Sequence, residues 1–373
     1  MLYNLYGEIM KGLYIHIPFC KSICTYCDFT KRVSNENNFI KYINRLSEEI
    51  DSYNDNLFSI DTVYIGGGTP NVLSLDLLEK LFIKINTILM KSKENTIELN
   101  PELITNDLCI LLKKYNFNRV SLGIQTINDK SIKLLNRHHN KNDIINSFNL
   151  LRKNGIENIN CDLIFGIPNT NINNIKNDLD FILNLNPTHI SYYSLILEDK
   201  TILKYQVDNN LIKMLDDDLV ADMYDYIKDR LKLNNYIHYE ISNFAKNGYE
   251  SIHNKIYWNT DEYIGVGLGA SGYLNGYRYD NNTDLKAYFK AFRNDSYKLT
   301  INDKKNEFMM LGLRLVNGVS IKRYNELFNS NIFDDFKVIG DLVKKNLLVI
   351  DNGNIKIKYD KLFLANQVWS EFV

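Results

Sequence analysis

The chain has 373 residues, 45% hydrophobic and 24% charged, which excludes a disordered or low-complexity polypeptide and leaves ample length for a core without covalent staples. Its 44 Lys and Arg against 45 Asp and Glu give a net charge of −1, so no overall positive field points to nucleic acid. No run approaches the roughly 20 apolar residues of a membrane span, and the opening MLYNLYGEIMKG lacks the basic and apolar regions of an export signal, so a cytoplasmic location is expected.

Patterned sequence begins at Leu13, so residues 1–12 read as a tail, with Met10 as an alternative start. From there β-rich runs alternate with segments of helical apolar spacing. The runs are Leu13–Ile17, Thr62–Ile65, Thr96–Leu99, Arg119–Ile124, Asn158–Phe165 and Ile190–Leu197. The helical patterns are Phe39–Ile50, Leu77–Leu89, Leu108–Tyr115, Ile144–Lys153, Ile175–Leu185 and Leu219–Leu233. Such a series predicts an α/β fold with a parallel sheet and crossover helices over 13–245. Several runs end in glycine or in polar residues, as at an active barrel rim, but pattern alone does not separate a barrel from an open doubly wound sheet. A connecting region over 246–300 carries the glycine-rich Gly265–Ala270. A smaller unit over 301–373 has helical patterns at Asn306–Leu315, Ile321–Leu327 and Phe333–Lys344. Two short strands then flank Asn352-Gly353, a hairpin turn, which gives a winged-helix-like shape.

The five cysteines do not form a disulfide framework: the number is odd, and Cys20, Cys24 and Cys27 are crowded as C-x3-C-x2-C after the first strand. Three thiolates can ligate three irons of a 4Fe–4S cube and leave the fourth iron open. S-adenosylmethionine (SAM) can chelate that corner through its amino and carboxylate groups, and one electron then breaks its sulfonium carbon–sulfur bond. The rival is a zinc site of His16 with the three cysteines, but H-x3-C is not a usual zinc knuckle. Cys109 and Cys161 lie in apolar patterns and read as core.

Gly66-Gly67-Gly68-Thr69-Pro70 ends the second run, where glycines let a backbone approach a ligand. Glu98, Gln125, Arg137 and Asp162 follow on later units. The two carboxylates could bind ribose hydroxyls or an ammonium, and Arg137 the SAM carboxylate. Singly, each residue reads equally as an ion-pair or surface group.

Together these segments resemble a family. Tyr14–Phe29, Gly66–Pro70, Glu98–Pro101, Ser121–Gln125, Leu135–His139, Asp162–Pro168 and Tyr239–Ala245 are similar to the radical SAM group of oxygen-independent coproporphyrinogen III oxidases and their relatives. Within it the chain resembles the haem-chaperone branch more than the oxidase branch. Phe29 stands where the oxidases have a further cysteine, and His253-Asn254-Lys255-Ile256-Tyr257-Trp258 matches the HNxxYW haem-binding pattern of the chaperones.

The resemblance implies a partial six-strand barrel, a 4Fe–4S cluster on Cys20, Cys24 and Cys27, and haem on His253. It places SAM at or near Tyr14, Tyr26, Gly67, Gly68, Thr69, Glu98, Gln125, Arg137 and Asp162. It also implies an acceptor protein for haem, membrane-bound if it belongs to respiration, and an electron donor; the sequence names neither. No nucleic acid is expected, and no catalytic residue is assigned. Two positions depart from the family: Asn136 replaces a frequent glycine, and Asn100-Pro101-Glu102 replaces the more usual Asn-Pro-Gly. Porphyrinogen decarboxylation is the alternative activity. RNA modification would call for a basic surface that the charge balance does not supply.

Overall fold

The computed structural model describes residues 10–373, so the expected tail lies outside the described residues save for residues 10–12. Six parallel strands lie side by side in chain order: β1 (Gly12–Ile17), β2 (Thr62–Gly67), β3 (Glu94–Leu99), β4 (Arg119–Gln125), β5 (Asn158–Phe165) and β6 (His189–Ser194). Helices Glu36–Asp51, Leu75–Lys84, Asn106–Lys114, Lys141–Lys153 and Ile172–Leu185 connect them, and Asp217–Leu233 follows β6. In β1 the two-residue period buries Leu13, Ile15 and Ile17 in the main hydrophobic core and turns Tyr14 and His16 to the opposite, polar face. That face of the curved sheet is the barrel interior.

Each of the six expected runs is a strand. The last one overshoots: β6 stops at Ser194, because Leu195, Ile196 and Glu198 leave the sheet to wall a cavity. The pattern Leu77–Leu89 breaks at Ile85 (φ −107°, ψ 11°) into two helices.

The sheet extends past both edges of the six. β7 (Ile237–Glu240) and β8 (Asn243–Ala245) add antiparallel beside β6. On the other side β9 (Tyr263–Val266) pairs parallel with β1, and β10 (Ser271–Leu274), β11 (Tyr277–Asn281) and β12 (Arg293–Lys298) continue antiparallel. The segment RNDSYK of β12 is exposed throughout, so no apolar alternation marks this edge strand in the sequence. Buried Glu49 clamps the extension to helix Glu36–Asp51. It accepts from the Gly267 N–H (2.8 Å), Asn281 Nδ2 (2.6 Å) and the Tyr288 hydroxyl (2.6 Å).

The last unit contains helix Ile301–Gly312, β13 (Val319–Ser320), helices Ile321–Phe328 and Val338–Lys344, and a hairpin of β14 (Leu348–Asp351) and β15 (Asn354–Ile357). Asn352 and Gly353, at φ 49° and 77°, supply the two positive angles of a type I′ turn. The pattern Phe333–Lys344 is interrupted at Phe336, whose ring packs against Tyr324 and Phe372. No described helix is long and apolar enough to cross a membrane.

Candidate functional site

The loop after β1 carries the three cysteines over the C-terminal ends of the parallel strands. It is tied to the segment that follows β4. The Thr25 N–H and hydroxyl donate to the Leu135 and Leu134 carbonyls (3.2 and 2.9 Å), and Asn136 Nδ2 donates to the Ile23 carbonyl (2.8 Å). Asn136 has φ 56°, a left-handed angle that glycine and asparagine both adopt at small cost, so the departure from glycine keeps the backbone shape. Asparagine takes ten of the thirteen positive-φ non-glycine positions among the described residues, so this chain uses it generally in that role.

Cys20, Cys24 and Cys27 line one cavity of about 360 Å³. Tyr26, Gly67, Gly68, Thr69, Glu98, Gln125, Arg137 and Asp162 line it too, so eight of the nine residues expected at SAM share a single space with the thiols. Tyr14 does not line it. Its hydroxyl meets His16 Nδ1 (2.8 Å), and the residue borders a neighbouring cavity.

Gly67 and Gly68 are required by close approach. Gly67 has φ 108°, and a Cβ there would lie 2.3 Å from the His16 ring; one on Gly68 would lie 2.6 Å from the Phe19 carbonyl oxygen. Gln125, at the end of β4, also has a positive φ, 66°, beside a register shift that turns the chain into the cavity.

The electrostatics of this space are those of a ligand site. Arg137 Nη2 donates to Asn100 Oδ1 (3.1 Å) and to the Gly123 carbonyl, while its buried Nε has no partner. A ligand carboxylate would satisfy that donor, which is expensive to leave bare. Glu98 accepts from the Tyr64 hydroxyl (2.8 Å) and the Gly67 N–H (3.0 Å). Burial, and then the nearby Asp162 carboxylate, push the Glu98 carboxyl up to about 7. Burial also raises Asp162, against hydrogen bonds from Ser121 (2.6 Å) and Asn160 (2.9 Å).

Burial raises the Cys20 thiol and pushes Cys27 up to about 11. Thiolates in this pocket therefore need cationic compensation, which bound iron provides. Three thiols facing one cavity, with an unpaired guanidinium nitrogen beside them, fit a cluster that carries a carboxylate-bearing ligand. The zinc alternative fits less well. His16 holds Tyr14 at one ring nitrogen and the Thr30 carbonyl (2.7 Å) at the other, so it has no nitrogen to offer a zinc ion.

His253 lies elsewhere, beneath the N-terminal ends of the strands. It is 1% exposed, with Nδ1 against the Thr62 hydroxyl (2.7 Å), Nε2 against the Tyr257 hydroxyl (2.7 Å) and its ring stacked on Tyr64. Glu94 receives the N–H groups of Ile252 and His253 (3.0 Å each) and the Ser251 hydroxyl (3.3 Å). Burial and then Arg119 push the imidazole down to about 3. It is thus a neutral ring with both nitrogens engaged, and iron could reach it only if Thr62 or Tyr257 gave way.

Sequence reasoning left several lining residues unassigned: Tyr64, Glu102, Gly123 and Tyr193. Tyr64 and Tyr193 follow from strand alternation, each two residues from another interior position. Glu102 was legible only as a departure from glycine; its Oε2 is buried and unpartnered beside Arg137.

Residues 14–182 match the radical SAM superfamily and residues 299–358 the HemN C-terminal domain. The chain is 38% identical over 370 residues to the haem chaperone HemW of Lactococcus lactis subsp. lactis (strain IL1403), covering 97% of each. The chain belongs to the HemW family of radical SAM proteins. The HemW of Bacillus subtilis (strain 168) is 35% identical, with 98% of this chain and 99% of that one aligned. Among solved structures, the Escherichia coli coproporphyrinogen III oxidase HemN superposes with a TM-score of 0.83, covering 98% of this chain and 91% of that one. At 22% identity that likeness establishes the fold alone.

Proposed function

We propose that this chain is a haem chaperone, which binds haem and hands it to an acceptor protein, and that its cysteine-lined cavity holds a 4Fe–4S cluster with SAM. The observation that carries the reading is similarity to HemW relatives along 97% of the chain, combined with Phe29 at the position of the oxidases' further cysteine. Porphyrinogen decarboxylation is correspondingly less supported.

Cys20, Cys24 and Cys27 would hold the cluster, and Arg137 and Gly67–Thr69 would take the amino-acid end of SAM. Glu98, Gln125 and Asp162 would take its ammonium or ribose groups. When bound, the cluster supplies one electron to the sulfonium bond. The protein's own part is to orient the ligand with a fixed guanidinium and to hold two carboxyls beside it whose charged forms burial disfavours. Crowded cysteines that stay unpaired with one another suit a reducing, cytoplasmic compartment.

Anaerobic titration of haem into the cluster-loaded chain tests the reading. Saturable binding, followed by loss of the haem spectrum to an added haem-free globin, is the expected result. Non-saturating spectra, together with SAM-dependent decarboxylation of coproporphyrinogen, would move the assignment to the oxidase. His253→Ala belongs in the same titration. A changed spectrum at unchanged folding would make His253 an iron ligand, whereas weaker binding with an unchanged spectrum would make it a support.

A further inference from the structure

Glu102 follows β3 on a single helical turn, Pro101–Leu103, and lines the cavity of the three cysteines. The turn is fixed from two sides. Asn71 Nδ2 donates to the Asn100 carbonyl and the Asn100 N–H donates to Asn71 Oδ1 (3.1 Å each), while the Ser147 hydroxyl donates to the Pro101 carbonyl (3.1 Å). The carboxylate is therefore held in place before any ligand arrives.

Two unfinished groups of opposite charge meet here. Arg137 Nε and Glu102 Oε2 are both buried without a hydrogen-bond partner, so neither is spent on the other, although the two charges are close enough to interact. Asn100 links them: its Nδ2 reaches Glu102 Oε1 (3.4 Å) and its Oδ1 accepts from Arg137 Nη2 (3.1 Å). Arg137 Nη1 lies 3.9 Å from Cys24 Sγ, which puts the pair beside the thiols.

An α-amino acid matches such a pair. Its carboxylate and amino group hang from one carbon, so a carboxylate seated on Arg137 brings N–H donors with it, and a fixed acceptor next to them completes the match. A ligand with a carboxylate alone would instead meet Glu102 as a like charge, in surroundings where unpaired charge is costly. We propose, on the basis of the SAM reading, that Arg137 and Glu102 form a clamp for the zwitterionic end of SAM, with Arg137 on the carboxylate and Glu102 Oε2 on the amino group. Glu102 is then a specificity-determining residue, which favours an adenosyl ligand that carries the amino group over one that lacks it.

The test is anaerobic calorimetry on the cluster-loaded full chain and its Glu102→Gln variant, whose amide keeps the shape of the side chain and removes its charge. The probes are SAM, decarboxylated SAM, which keeps the amino group, and the adenosyl dimethylsulfonium, which lacks the whole amino-acid end. Retention of the cluster's visible absorption monitors folding, and Glu102→Ala takes the same titrations should Glu102→Gln fail to hold the cluster. Affinity for SAM and for decarboxylated SAM is expected to fall about tenfold or more in the variant, and that for the dimethylsulfonium to stay within about twofold. A loss confined to SAM would put the effect on the carboxylate, through Asn100 and Arg137, and overturn the contact. An equal loss for all the probes, no loss at all, or a parent that binds decarboxylated SAM no better than the dimethylsulfonium would overturn it too. A parent that binds no SAM overturns the SAM reading along with the clamp.

Discussion

The two ends of the barrel use the same residue types to opposite purposes. At the C-terminal rim, polar groups are left unfinished: Arg137 Nε and Glu102 Oε2 are buried without partners, and Glu98 is held near its own titration point. At the base, both ring nitrogens of His253 are matched. Thr62, Tyr257 and Glu94 close a network around a ring that never charges near neutral pH. Both sites are buried, so burial does not distinguish function from stability here. What distinguishes His253 from Arg137 is whether the side chain has used up its hydrogen-bonding capacity, because an unmatched buried donor is a cost that a bound partner removes.

Substitutions at the two ends should therefore separate cleanly. The largest effect is expected from Cys24→Ala, which should abolish cluster assembly, read as loss of the visible iron–sulfur absorption, while the cluster-free chain keeps its stability to within about 1 kcal/mol. The base should behave the other way round. Glu94→Ala strips the acceptor from three donors and should cost about 3 kcal/mol in urea unfolding, and His253→Ala about 2 kcal/mol, with the cluster still assembling at low temperature. If His253→Ala left stability untouched, the assignment of the base to support would fail.

Arg137→Met should weaken SAM binding by about tenfold or more by calorimetry and cost about 1–3 kcal/mol of stability, because Asn100 Oδ1 and the Gly123 carbonyl lose their donor. The smallest effect is one of pH. The Glu98 carboxyl sits at about 7 in the folded chain against an ordinary 4.5, so the protonated form is favoured on folding. That contribution is full below 4.5 and is lost as pH rises through 7. Glu98→Gln should therefore gain stability relative to the parent between pH 5 and pH 8, by at most about 3 kcal/mol. A pH-independent difference would place the titration on another group, with Asp162 the nearest.

The rim was far more legible in the sequence than the base. Strand periodicity, the C-x3-C-x2-C spacing and a polar residue on successive units are local signals, and a parallel barrel turns successive units toward one rim. Eight of nine expected residues accordingly meet in one cavity. Tyr14 escaped because its hydroxyl is taken by His16 and it borders the neighbouring cavity instead. The edge strands β10–β12 were illegible for another reason. They are held by Glu49 and by Tyr279, whose hydroxyl accepts from and donates to the Gly265 backbone, rather than by an alternating apolar face.

Chain-local chemistry thus determined the six strand segments in series, the position of the thiols, the turn at Asn352-Gly353 and the family. Only the folded chain decided the order of the strands and what His253 touches. That contact joins residues far apart in sequence, His253 to Thr62. A spacing rule reads along one segment, whereas hydrogen-bond satisfaction is a property of all the segments that pack around an atom.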